Sequence, residues 1–286
     1  MKFFILLGNI FIILFITSCS DNKKKFNVLT LDKNIEFKQV SNLKSSKVKG
    51  FNLKYNFKSS KNIIKYKLKS LQLFTSKNSQ VLLTVNFIIN FKKYETTDKN
   101  LKFKIYFSNF NIKHKVYYGY FDFNSINKKY NLIMNALYFN ILMNNYGKKS
   151  FRIENKVGLN SNLKSMAGLI FNIINYIFLE FPEHKTSGNK FIYTDKKYEL
   201  TSTYNEDGSL FLKYNTNNKI NFTLENKGDF TILKSDSDKK KIRILFPDKE
   251  NMPQKINLLF EDGDKLKFED KEYTYSLKTY YFIEKL

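Results

Sequence analysis

The stretch Val81-Leu-Leu-Thr-Val-Asn-Phe-Ile-Ile-Asn-Phe91 carries the pattern that decides the fold. Its alternate residues Val81, Leu83, Val85, Phe87, Ile89 and Phe91 are all apolar. Side chains of a strand point alternately to two faces, so the stretch predicts one long strand with an unbroken apolar face. Strands of this type pair into antiparallel sheets that bury one face.

The same period of two occupies residues 26–124 and returns from residue 190 to the end of the chain. Polar segments such as 76–79, 96–100, 206–208 and 217–218 separate the apolar runs, as do Asn226-Lys-Gly228 and Asp262-Gly263-Asp264. Short polar joins are typical of turns between neighbouring strands. Both regions are therefore predicted to be antiparallel strands, with turns at these joins.

Two helices are predicted between the strand-rich regions. Residues 126–146 carry Ile133, Leu137, Ile141 and Leu142 at helical spacing, and Gly147 is a suitable stop. Strand-like residues 151–157 follow. A second helix fits residues 161–181, with Ser161 as candidate N-cap and Pro182 just beyond its end.

The second helix has an apolar middle, Met166–Leu179, which is too short to favour a membrane span. It is apolar almost all round, which predicts a helix covered on several sides. Two interpretations stay open: a plain core helix, or the wall of a cavity for an acyl chain. The candidate cavity residues are Met166, Leu169, Ile170, Ile173, Ile174, Ile177 and Phe178 on the helix, with Leu83, Val85, Phe87 and Phe103 on strands.

The order of strands, helices and strands predicts an α+β protein that is mainly antiparallel β. We expect a single domain over residues 26–286 with a helical insertion at about 126–181. A curved sheet or open half-barrel, with both helices packed in its concave face, explains this order most simply.

The first residues have the features of an export signal. A basic start, Met1-Lys2, is followed by the apolar run Phe3–Ile16 and by Cys19, which is the single cysteine of the chain. The stretch Ile16-Thr17-Ser18-Cys19 resembles the lipobox of bacterial lipoproteins, in the loose form of spirochaetal-type members. The resemblance implies a signal peptide over 1–18, acylation of Cys19 and a lipidated tether over 19–25. An ordinary signal peptide or an uncleaved helix are the alternatives.

The chain is strongly basic, with 49 Lys and Arg against 26 Asp and Glu and a formal net charge of +23. Only Arg152 and Arg243 are arginines, and lysine is less suited than arginine to bidentate recognition of phosphates or bases. Behind an export signal, nucleic acid is not an expected partner. The lysines therefore form a solvated surface, or they attract anionic head groups or an anionic polymer.

Sequence motifs of catalysis and metal binding are missing. There are two histidines, His114 and His184, without metal-ligand spacing, and no Walker A, GxGxxG or GxSxG stretch. We therefore expect no metal, no cofactor and no enzymatic activity.

One further resemblance concerns function. The segment Met252-Pro253-Gln254-Lys255-Ile256, followed by Leu258, Asp262-Gly263 and Leu266, is similar to the end of the lipoprotein-carrier fold of LolA, LolB and LppX-type proteins. The resemblance implies a half-barrel that binds a lipid or an acylated protein in an apolar cavity. We expect an exported, lipid-anchored protein of the outer membrane, on its periplasmic or surface side. The alternative is a surface lipoprotein that binds a host or envelope macromolecule through a lysine-rich face.

Overall fold

The computed structural model describes residues 29–31, 34–44, 55, 62–77, 79–97, 100–119, 128, 134, 137–155, 161–180, 184–187, 190–193, 199–204, 210–215, 221–247, 252–268 and 271–286. Its first strands are β1 (Ile63–Ser76), β2 (Gln80–Thr96), β3 (Asn100–Tyr118), β4 (Leu137–Asn144) and β5 (Lys149–Asn155). The helix α1 (Ser161–Ile177) follows, and a 3-10 helix spans Lys38–Val40. The later strands are β6 (His184–Ser187), β7 (Lys190–Tyr193), β8 (Glu199–Tyr204), β9 (Leu210–Asn215), β10 (Asn221–Lys227), β11 (Phe230–Ser237), β12 (Lys240–Pro247), β13 (Lys255–Phe268) and β14 (Lys271–Lys285).

Twelve of these strands form one large antiparallel sheet in the order β5-β4-β3-β2-β1-β14-β13-β12-β11-β10-β9-β8. Strands β6 and β7 pair separately. The first and last strands of the sheet by sequence, β1 and β14, are neighbours, with Tyr66 opposite Lys285 and Ser76 opposite Tyr275. This long-range pairing joins two meanders, so the prediction of a mainly antiparallel β fold is confirmed.

One face of the large sheet, called the inner face from here on, packs against α1. Strands β1–β4 and β10–β14 contribute buried apolar side chains to the same core cluster as the helix. Strand β1 shows why: Ile64, Tyr66 and Leu68 are buried, while the residues between them are exposed. The period of two thus separates an apolar inner face from a polar outer face.

Most of the described side chains of helix α1 are buried or half-buried. Ile170, Ile173, Ile174 and Ile177 face the core, following the three-to-four-residue spacing of an amphipathic helix. Asn175 on the other side is exposed. Gly168, Asn172 and Tyr176 are half-buried, and Tyr176 also contacts Phe260 of β13. Among the described side chains the solvent-facing stripe is therefore narrow, and the helix is covered on more than one side.

The outer face is crossed by the N-terminal strap, defined as residues 29–31 and 34–44. Ile35 packs with Leu259 of β13 and Tyr280 of β14. Phe37 and Val40 pack with apolar residues of β11 and β12. The strap thus runs across strands β11, β12, β13 and β14, and it covers apolar side chains on their outer face.

The predicted helix over 126–146 is wrong in its second half. Leu137–Asn144 is strand β4, and Leu137, Phe139, Ile141 and Met143 are its buried residues. Lys128 and Met134 are helical, and the residues around them lie outside those described. The first helix of the predicted pair is therefore not confirmed, and the insertion at 126–181 contains strands β4 and β5 as well as α1.

The joins predicted at 76–79 and 96–100 connect paired strands, as expected. Of two further turn predictions, one is correct and one is wrong. Gly228 adopts φ +57° between β10 and β11, as expected for the turn at Asn226-Lys-Gly228. Asp262-Gly263-Asp264, however, runs through the long strand β13, where Gly263 lies opposite Ser276. A Cβ at Gly263 would lie 3.0 Å from the carbonyl oxygen of Tyr275. The glycine there allows close strand approach and does not mark a turn.

Strand β3 contains a bulge that changes which side chains face inward. Asn109 has φ 56°, a left-handed conformation that asparagine tolerates. The pairing register with β2 shifts at the same point. Phe107 and Phe110 therefore both pack against the inner core, although they are three residues apart.

The predicted export signal, Cys19 and the predicted tether over 19–25 lie outside the described residues. Among the helices that are described, none is long and apolar enough to span a membrane.

Candidate functional site

The inner face carries a continuous row of aromatic rings. Phe110 contacts Phe87 at 6.0 Å between ring centroids, Phe87 contacts Phe107 at 5.9 Å, and Phe107 contacts Phe139 at 5.9 Å. Phe139 then contacts Phe171 of α1 at 4.9 Å. The row links the part of β3 around its bulge to the helix. Its ring pairs are edge-to-face or tilted, and aromatic pairs prefer such arrangements to a face-to-face stack.

Four aromatic side chains of this region are only partly buried, and together they are called the aromatic edge. They are Phe107, Phe110, Phe151 and Phe171. Phe151 of β5 lies 4.4 Å from Phe171 between ring centroids, so the edge reaches the outermost strand of the sheet. Partly exposed apolar side chains that adjoin one another are a feature of ligand and partner sites.

The C-terminal end of α1 is fixed by buried contacts. Phe178 packs against Tyr55, Phe91 and Phe103, with ring centroids 5.8, 5.2 and 5.9 Å apart. The Lys149 ammonium donates to the Phe178 carbonyl at 2.6 Å, which is where a cation stabilises a helix end. This end of the helix therefore belongs to the structural core.

Lys149 itself is nearly enclosed. Its Nζ also donates to the Gly147 carbonyl at 2.9 Å. Burial lowers the pKa of Lys149 from 10.5 to about 8, and the nearby Glu180 carboxylate acts in the opposite direction. The two carbonyl contacts and the lowered pKa identify a structural lysine whose charge depends on pH in the alkaline range.

Lys240 brings a second partly buried ammonium group to the inner face. It lies opposite Phe260 on β13, and its Nζ is 5.0 Å from the ring centroid of Tyr176 and 5.4 Å from that of Phe260. Burial lowers the pKa of Lys240 to about 8. Cation–π attraction stabilises the ammonium beside the two rings, and the described residues offer it no carboxylate within ion-pair distance.

The structure gathers most of the predicted cavity residues into one cluster. Members of the inner core are Ile170, Ile173, Ile174, Ile177, Phe178, Leu83, Phe87 and Phe103, with Val85 packed against it. Met166 and Leu169 lie within α1, but their side chains are outside the described set. The buried members form core contacts, and their binding of a ligand stays a prediction.

The outer face has a groove between the N-terminal strap and strands β1, β13 and β14. This lysine groove has a volume of about 560 Å³. Its lining consists of Glu36, Phe37, Lys38, Gln39, Lys67, Lys69, Lys255, Asn257, Phe282, Ile283 and Glu284. The strap is held over it by hydrogen bonds, including one of 2.9 Å from Asn257 Nδ2 to the Ile35 carbonyl.

A second basic feature lies on the outer face of β2 to β5. Lys92, Lys104, Asn140 and Arg152 are cross-strand neighbours in successive strands, forming what is called the cation row. Lys92, Lys104 and Arg152 are exposed. The basic residues are therefore not all scattered over the surface, because strand pairing aligns Lys92, Lys104 and Arg152, which are far apart in sequence.

Sequence reasoning missed the lysine groove and the aromatic edge. The signal for the groove was present, since Lys65, Lys67 and Lys69 alternate with buried residues in β1. The strap across these strands depends on contacts between residues more than 200 positions apart, such as Asn257 with Ile35. The aromatic edge depends on the bulge of β3, which the spacing of Phe107 and Phe110 alone does not reveal.

No protein-family model matches the chain, and no curated protein matches it significantly. Among solved structures, lipovitellin in a study of lipid–protein interactions is similar with a TM-score of 0.41 and 7% identity. The similarity covers 78% of this chain and 25% of the lipovitellin chain. A DUF1329 family protein from Desulfovibrio piger has a TM-score of 0.24 and 10% identity, over 78% of this chain and 83% of that one. Similarity at these TM-scores establishes neither a shared fold nor a shared ligand.

Proposed function

We propose that this protein is a non-enzymatic lipoprotein of the bacterial envelope that binds an acyl chain, free or attached to a partner protein, at its inner face. The observation that carries the proposal is the aromatic edge, where Phe107, Phe110, Phe151 and Phe171 are partly exposed beside α1. An acyl chain placed there would cover apolar surface, and each buried CH₂ contributes about 0.8 kcal/mol.

Lys240 supplies a counter-charge for such a ligand. Its ammonium lies on the same face, beside the rings of Tyr176 and Phe260. Because β12 is five strands from β3 in the sheet order, only a ligand that spans the inner face would reach both Lys240 and the aromatic edge. A carboxylate or phosphate at the end of an acyl chain would give this half-buried cation a partner of opposite charge. The favoured ligand is therefore an anionic amphiphile rather than a neutral hydrocarbon.

The experiment is binding of a fluorescent fatty acid to the purified full-length protein, with Phe110→Ser as the test variant. We expect affinity to fall about tenfold, because one aromatic contact contributes about 1.5–3 kcal/mol when fully buried. Leu142→Ser is the matched control, since Leu142 is 42% exposed on the outer face of β4. Equal binding by both variants would refute a site at the aromatic edge.

Co-purification gives an independent readout. Solvent extraction of the protein from its native membrane should release a lipid at a fixed molar ratio, as identified by mass spectrometry. The Phe110→Ser variant should release less of that lipid than Leu142→Ser does. A protein free of lipid after mild purification, and unable to bind the probe, would remove the proposal.

The anchor is a separate part of the proposal and rests on the sequence around Cys19. Two or three acyl chains at Cys19 would hold the protein stably at a membrane, as a single chain does not. Cys19→Ala should move the protein from the detergent phase to the aqueous phase of a phase separation. Cell fractionation and protease treatment of intact cells would then test the expected outer-membrane location and its side.

The cation row supports a second candidate function, binding of an anionic macromolecule at the envelope surface. Lys92, Lys104 and Arg152 lie in line on strands β2, β3 and β5 of a solvent-exposed face, with Asn140 of β4 between the last two. A heparin column tests this idea, because screening by salt weakens exposed charge contacts. Replacement of all three residues by glutamine should lower the eluting salt concentration more than replacement of three lysines elsewhere does.

A further inference from the structure

The lysine groove has the dimensions and lining of a small-molecule site separate from the inner face. Its volume of about 560 Å³ falls inside the usual range for ligand pockets, roughly 300–1,000 Å³. Its floor is formed by the outer sides of β1, β14 and β13, and its rim by Glu36, Phe37, Lys38 and Gln39 of the strap.

The groove has an excess of positive charge that its own carboxylates do not neutralise. Glu284 pairs with Lys255 at 3.1 Å, and Glu36 pairs with Arg243 at 2.5 Å. Lys67 and Lys69 have no carboxylate within ion-pair distance among the residues that the structure describes. Both are exposed into the groove from β1. Glu284 lies directly opposite Lys67 in the pairing of β1 with β14, whereas Lys69 lies opposite Phe282. The four lysines of the lining outnumber its two glutamates, so an anion that enters the groove meets an excess of positive charge.

The position of the two lysines suits a single compact dianion. Lys67 and Lys69 are two residues apart on one face of a strand, so their Cα atoms are about 6.6 Å apart. Their four-carbon side chains can bring both ammonium groups to one phosphate group, which carries close to two negative charges at neutral pH. A carboxylate carries a single negative charge and would neutralise only one of the two ammonium groups.

The other residues of the groove lining indicate which chemical groups can accompany the phosphate. Phe282 lies opposite Lys69, and Asn257 lies opposite Phe282, so these three side chains form a row across the groove floor. Asn257 uses its Nδ2 to hold the strap, which leaves its Oδ1 as an acceptor for a hydroxyl group. Gln39 on the rim adds an amide. Hydroxyl groups beside a phosphate match this arrangement.

We propose that the lysine groove binds a phosphate monoester of a small polyol, with the phosphate on Lys67 and Lys69. Such a group occurs free in solution as glycerol phosphate. Phosphatidic acid presents the same phosphate monoester at a membrane, but its other two glycerol oxygens are esterified and offer no hydroxyl group to Asn257. The proposal is independent of acyl-chain binding at the inner face, because it concerns the opposite side of the sheet.

Isothermal titration calorimetry of the full-length protein with glycerol 3-phosphate, in a buffer free of phosphate, tests the site. We expect saturable binding, and an affinity at least about tenfold weaker in Lys67→Gln/Lys69→Gln. Lys65→Gln/Lys113→Gln is the matched control, since it removes the same charge from exposed positions of the outer face that belong to neither the groove nor the cation row. A control that loses as much affinity as the test variant would show a general charge effect and overturn the proposal.

Lysine acetylation of the unmodified protein gives a second readout that does not depend on the variants folding. Glycerol 3-phosphate should slow the modification of Lys67 and Lys69 but not that of Lys65, as measured by mass spectrometry. Vesicles of phosphatidylcholine with phosphatidic acid then distinguish the two sources. Protection by vesicles and not by glycerol 3-phosphate assigns the head group, and protection by neither overturns the proposal.

Discussion

Replacement of Phe178 by alanine tests whether the end of α1 is structural core. The Phe178 side chain is 1% exposed and contacts the rings of Tyr55, Phe91 and Phe103. Loss of its buried apolar surface costs about 2–3 kcal/mol, and the cavity left among three rigid rings adds to this. We therefore expect a loss of about 3–5 kcal/mol in the free energy of unfolding, measured by urea denaturation.

Asn175→Ala is the matched control on the exposed side of the same helix. It should change the free energy of unfolding by no more than about 0.5 kcal/mol, because alanine favours helix and no core contact is lost. A cost below about 1 kcal/mol for Phe178→Ala, or an equal effect of the two substitutions, would contradict the structural role of Phe178 at the end of α1.

Three further substitutions test other buried contacts. Gly147→Ala should destabilise the protein by about 2–4 kcal/mol in urea denaturation, because Gly147 has φ +80° and a Cβ would overlap the Leu179 carbonyl group. Tyr66→Phe should cost about 1–2 kcal/mol, since the Tyr66 hydroxyl donates to the buried Pro253 carbonyl at 2.8 Å; an unchanged melting temperature would contradict this. Lys149 has its pKa lowered to about 8 by burial, so the unfolded chain binds more protons between pH 8 and 10.5 and stability should rise with pH over that range. The rise should be smaller in Lys149→Met, as followed by thermal melts across the range, and an identical pH dependence would contradict the assignment.

The strands and the main helix could be predicted because each keeps a single spacing of apolar residues over many positions, every second residue in the strands and every three to four in the helix. Helix α1 begins at Ser161 as expected and ends at Ile177, four residues before the predicted end. Strand β4 was missed because Leu137 and Ile141 fit two patterns. They are four residues apart, as on a helix, and together with Phe139 and Met143 they also occupy every second position, as on one face of a strand. Pairing with β3 and β5 decides the outcome.

The candidate sites were harder to predict because they depend on contacts between distant parts of the chain. The lysine groove needs the strap at residues 34–44 to lie over β1, β13 and β14, and nothing in the strap's own sequence fixes that position. Arg243 is an example: it donates to Glu36 of the strap and to Asp236 of the neighbouring strand. Periodicity predicts which face a residue occupies but not which distant segment covers that face.

The geometry of the sheet makes the two proposed sites independent. In β1, Tyr66 and Leu68 point to the inner face, while Lys67 and Lys69 point to the outer face. A ligand in the groove and an acyl chain at the aromatic edge are thus separated by the hydrogen-bonded backbone of the sheet. They are also separated laterally, since Phe110 lies on β3, two strands from β1. Substitutions that share no partner usually have additive effects, so loss of one binding activity leaves the other as its internal control.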